Sequence, residues 1–117
     1  KNVSGAGTIH VDSAANNLNV WITPDEANLD TDGGGLNIWN KKGPVLYMSD
    51  YSKQKKIELL RRAVNEPGVK SAKVPYKCNR AGIFNGNIIH GTDELNFKEG
   101  YENRRINVTF LFGKADR

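Results

Sequence analysis

Apolar and polar residues alternate in short runs along most of this chain, as expected of strands that bury one face. In the run 18–23, Leu18, Val20 and Ile22 fall on one side and Asn19, Trp21 and Thr23 on the other, until Pro24 ends it. The same pattern predicts strands over 8–12, 36–39, 45–48, 69–76, 81–84, 88–90 and 104–112, with polar turns at 13–17 and 41–44 and a polar loop over 91–103. One segment has a different period. Ile57, Leu60 and Val64 recur at helical spacing with Leu59 and Ala63 beside them, which predicts a helix over 52–65 that Pro67-Gly68 stops. Short strands around one inserted helix make a mostly β protein of sandwich or barrel type.

At 117 residues the chain is a single domain, 1–117, with enough length for a real core. Hydrophobic residues at 38% and charged residues at 26% are those of an ordinary folded domain, which excludes a disordered segment. The net charge is +4, but the densest basic stretch, 53–62, has helical period and reads as a solvated helix face, so no nucleic-acid partner is expected. No apolar run approaches the ~18 residues of a membrane span, and no leader pattern opens the sequence. The lone Cys78 forms no internal disulfide, which fits a cytoplasmic protein. The tripeptides beginning at Asn2 and Asn107 fit a glycosylation sequon, a pattern too loose to carry weight.

The chemistry concentrates in few residues. His10 and Asp12 stand at i and i+2 of a predicted strand, so both side chains point to one face and can converge on one ion. His90, the only other histidine, ends another predicted strand that a folded-back sheet can bring alongside. Two imidazoles and one carboxylate on one face of an ion select non-haem Fe(II) with open coordination positions. A His-x-Asp tripeptide alone is weak, because a strand histidine is more often a hydrogen-bonded core or surface residue. Arg105 adds to it. In the last predicted strand Ile106, Val108, Phe110 and Phe112 form an apolar face, while Arg105 shares the inward polar face with Asn107 and Thr109. A guanidinium there is costly without an anionic partner, which a carboxylate ligand gripped through two parallel hydrogen bonds would supply.

Four segments together resemble the Fe(II)/2-oxoglutarate-dependent oxygenase superfamily: His10-Val11-Asp12; residues 18–24 followed by Gly33-Gly34-Gly35-Leu36; residues 79–90; and Arg104-Arg105-Ile106-Asn107-Val108-Thr109-Phe110. The match covers nearly the whole chain in order. Residues 21–28 and 97–105 further resemble a bacterial subgroup of it. The resemblance implies a double-stranded β-helix, or jelly roll, with iron between its two sheets. It makes His10, Asp12 and His90 the metal ligands and Arg105 the 2-oxoglutarate-binding residue, with Asn107 and Thr109 as possible helpers and Arg104 pointing outward. The activity implied is a dioxygenase, most often a hydroxylase, that couples oxidative decarboxylation of 2-oxoglutarate to oxidation of a small-molecule or peptide substrate.

The chain departs from that pattern at one end. Superfamily members usually carry helices and a strand before the His-x-Asp segment, whereas only nine residues precede His10, so the N-terminal part of the fold is expected to be short or missing. Apolar strand faces would then be covered by the 52–65 helix, a homo-oligomer partner or a further segment. Two other readings stay open: a non-catalytic jelly-roll binding domain, and a cupin-like metal protein, whose sites usually use more histidines than this chain has.

Overall fold

The computed structural model of the protein describes residues 3–5, 9–43 and 50–114. It is mostly β with one helix. One antiparallel sheet has the order β5 (Ala81–Asn85), β2 (Ala14–Trp21), β8 (Asn107–Lys114), and a second has the order β4 (Ser71–Val74), β3 (Leu36–Lys42), β6 (Ile88–Thr92). A ribbon of β1 (Val3–Gly5) and β7 (Leu95–Phe97) completes the described strands. The strand expected at 45–48 lies outside the described residues.

The two sheets meet through their inner faces. Trp21 of β2, Leu36 of β3 and Phe97 of β7 form one buried cluster with Ala27 and Tyr76. Tyr76 stacks at 5.2 Å from both Trp21 and Phe97, the latter edge-on, a geometry worth about 0.5–1.5 kcal/mol beyond the area buried. The other face of the second sheet is covered by α1 (Lys53–Val64), whose Leu60 and Ala63 pack with Ile89 and Trp39. Its boundaries follow from local chemistry: the Ser52 hydroxyl caps the start by accepting from the Lys55 amide at 3.2 Å, and Arg61 and Arg62 favour the negative end of the helix dipole.

The outer face of the β5-β2-β8 sheet stays open. Ile83, paired beside Leu18, is 71% exposed, and Phe110 on Leu18's other side is 53% exposed. No cover for this face is present among the described residues.

Several strands differ from the sequence pattern: β8 begins at Asn107 rather than 104, β7 forms inside the expected 91–103 loop, and two further changes shape the site. β2 begins at Ala14, inside the polar stretch expected to turn, and the expected strand at 8–12 shrinks to one bridge between His10 and His90. The turn of the β5–β6 hairpin accounts for the second change. The Asp12 amide donates to the Gly86 carbonyl at 2.7 Å rather than continuing along β6, and the Gly86 amide donates to Ala15 at 3.1 Å. A Cβ at Gly86 would overlap the Ala14 carbonyl oxygen, so only glycine allows this approach. Gly86→Ala is therefore expected to cost about 1–3 kcal/mol in urea unfolding and to weaken metal binding together with stability. Unchanged unfolding would show that the hairpin can move aside freely.

Candidate metal centre

His10, Asp12 and His90 come together between the sheets, with one ligand atom from each lying within 4.8 Å of the others. The backbone sets two of them. His10 and His90 exchange both backbone hydrogen bonds, at 2.9 and 3.0 Å, which places their imidazoles side by side with ring centroids 4.4 Å apart. Asp12 follows at the bend toward Gly86, with Oδ2 3.1 Å from His90 Nε2 and Oδ1 3.7 Å from His10 Nε2. Ligands about 2.1 Å from one ion at right angles sit about 3 Å apart, so the spacing suits a shared cation.

The three side chains differ in exposure. His90 is buried, Asp12 is mostly buried and the His10 side chain is 49% exposed, so the centre opens to solvent on the His10 side. The His90 ring is oriented by its Nδ1–H, which donates to the Ile88 carbonyl at 2.7 Å and leaves Nε2 for the ion. With a neutral ring, the Nε2 lone pair would face a carboxylate oxygen, so either a proton on Nε2 or a metal ion must stand between the two atoms. Phe84 packs edge-on against the other side of the ring at 4.8 Å.

Burial acts to raise the pKa of Asp12. The hydrogen bond from His90, the charges of both imidazoles and a hydrogen bond from Asn17 outweigh it and hold the carboxyl below its usual 3.8. A folded-state value below the unfolded one means that the carboxylate contributes stability above about pH 4 and loses it as pH falls through the lowered value. In the metal-free protein, Asp12→Asn should remove part of the stability lost between pH 5 and 2, read by denaturant unfolding at each pH. Parallel curves for the two proteins would contradict this.

A cavity of about 210 Å³ adjoins the triad and is walled by Asn17, Asn19, Leu36, Thr92, Asn107 and Thr109. Asn107 and Thr109 thus stand where the sequence pattern puts them, on the inward face. Asn17 and Asn19 share that wall without belonging to any motif. Their signal was the alternation with Trp21 opposite Leu18 and Val20, but Asn16-Asn17 also reads as a turn.

Arg105 does not line this cavity. It precedes β8, one inward position beyond Asn107, and lines a separate cavity of about 280 Å³ with Leu95, Phe97 and Arg104. Its Nε donates to the Gly34 carbonyl at 2.5 Å and its Nη2 to the Gly35 carbonyl at 3.2 Å, while the guanidinium lies 5.5 Å from the Trp21 ring and 5.9 Å from that of Tyr76. Gly35 presents its carbonyl there because it runs against β4, where a Cβ would overlap the Val74 carbonyl oxygen. Burial lowers the pKa of Arg105, and no ion-pair partner of the guanidinium is found among the described residues. Arg104 is exposed and sits over the Tyr101 ring.

Compared with known protein families, curated proteins and solved structures, the chain gives no match. No helix among the described residues is long and apolar enough to cross a membrane.

Proposed function

We propose that this chain is a Fe(II)- and 2-oxoglutarate-dependent dioxygenase domain of jelly-roll architecture, with His10, Asp12 and His90 as the iron ligands. The observation that carries the reading is the convergence of these three side chains beside a cavity between two sheets. Bound Fe(II) and 2-oxoglutarate would supply oxygen activation coupled to oxidation of the diacid to succinate and carbon dioxide. The chain's own part is placement. His90 is locked by the Ile88 carbonyl, Asp12 is held between the imidazoles, and the neutral walls of the cavity leave the ion as its main positive charge.

Arg105 completes the reading. Arg105 lies one inward position before Asn107, which lines the triad's cavity, so a diacid held at the metal would have to reach past Asn107 to meet the guanidinium. A half-buried cation held by carbonyls and aromatic rings, with no carboxylate partner among the described residues, suits the distal carboxylate of such a ligand. One observation favours a cupin-like metal protein instead, namely that Arg105 lines a cavity other than the triad's. Turnover separates the two. With Fe(II), ascorbate and oxygen, the oxygenase reading predicts slow conversion of 2-oxoglutarate to succinate even without a substrate, and a cupin-like protein predicts none.

A further inference from the structure

We propose that Asn17 is a positioning residue for the metal-binding carboxylate, the last link in a relay of side chains that runs from Asn107 and Thr109 through Asn19 and Asn17 to Asp12. This inference rests on the metal-site reading above. Asn107 Nδ2 donates to Asn19 Oδ1 at 3.1 Å and to the Thr109 hydroxyl at 2.9 Å, and that hydroxyl donates to Asn19 Oδ1 at 2.7 Å. Asn19 Nδ2 donates to Asn17 Oδ1 at 2.6 Å, and Asn17 Nδ2 donates to Asp12 Oδ2.

The direction of the relay follows from its end. An ionised carboxylate only accepts, so Asn17 must turn its NH₂ toward Asp12 and its carbonyl toward Asn19. Asn19 must in turn offer NH₂ to Asn17, which leaves its carbonyl for Asn107 and Thr109. One charge at Asp12 therefore fixes both buried amides.

Burial makes the arrangement specific. Asn17 is 2% exposed and Asn19 is 8% exposed, and burying carboxamides is costly unless they are bonded. The neighbouring positions Leu18 and Val20 show that β2 has apolar residues at hand, yet they face outward while the amides face the core. The amides restrain the carboxylate with Oδ2 toward His90 and Oδ1 toward His10, so its orientation is set before any ion arrives. The Ile88 carbonyl does the same for His90.

Cobalt(II) is a suitable probe, because its visible ligand-field bands report coordination geometry as well as occupancy. Titrated into the full chain, Co(II) should bind Asn17→Leu roughly 10- to 100-fold more weakly than wild type, as expected for loss of an outer partner of a ligand. The spectrum of the loaded variant should also change, which a loss of fold stability alone would not produce. If Asn17→Leu fails to fold, Asn19→Leu removes the next link and should show a smaller loss of affinity with a shifted spectrum. Wild-type affinity and an unaltered spectrum in the folded variants would overturn the relay while leaving the metal site standing. Failure of the wild type itself to bind Co(II) would overturn both.

Discussion

His90→Ala is expected to lower Fe(II) affinity by at least about 100-fold and to abolish any succinate production, the largest effect of any single change at the centre. His90 is the one ligand of the three that is buried and oriented by a backbone carbonyl, so no mobile side chain is positioned to replace it. The chain should still fold. Its strand pairing uses the backbone of His90, which alanine keeps, and losing the ring against Phe84 should cost about 1–3 kcal/mol. His10→Ala should weaken the ion less, because that side chain is half in solvent where water can take the vacated position. Calorimetric titration under anaerobic conditions reads both variants, and a folded His90→Ala protein that binds Fe(II) like wild type would remove the triad from consideration.

The second large effect belongs to Arg105. Arg105→Lys keeps the charge but loses the bidentate fork, so 2-oxoglutarate should bind about 1–3 kcal/mol more weakly, roughly 5- to 150-fold, with Fe(II) affinity little changed. Arg104→Lys should alter neither, since Arg104 is exposed over Tyr101. Lysine at 105 also gives up the bonds to Gly34 and Gly35 and the contacts with Trp21 and Tyr76, so a lower melting temperature should accompany the change. Binding and stability are separable here. A variant that melts earlier yet binds 2-oxoglutarate as wild type does would make Arg105 a structural cation and favour the cupin-like reading.

The parts of this fold that announce themselves in sequence are those where pattern and burial agree. The helix from Lys53 to Val64 has its apolar stripe, its Ser52 cap and its Pro67-Gly68 stop, and it forms where these place it. The hairpin carrying His90 likewise follows its two apolar runs. The pattern misleads where polar residues serve the interior. Ala14 to Asn17 reads as a turn because asparagine usually bonds its own backbone, but here Asn17 finds side-chain partners in Asp12 and in Asn19 two residues along its own strand, and the strand starts four residues early. β7 hides in the 91–103 loop, since three residues are too few to show a period, and the burial of Phe97 comes from distant residues. That His10 and Asp12 could share an ion with His90 was legible from the i, i+2 spacing, but the strand expected at 8–12 is reduced to one bridge, and the contact with Gly86 that places Asp12 was not legible. The place of Arg105 was legible only as to face: the pattern set it inward but could not show that Gly34 and Gly35 would hold its guanidinium.

The most direct test is an anaerobic titration of the purified chain with Fe(II) and 2-oxoglutarate, followed by visible absorption. Chelation of the iron by the keto acid at the His10, Asp12 and His90 site should produce a weak charge-transfer band that appears only when both are present, saturates at one equivalent of each and is absent in His90→Ala. Fe(II) binding at that site with no such band at saturating 2-oxoglutarate would contradict the dioxygenase reading.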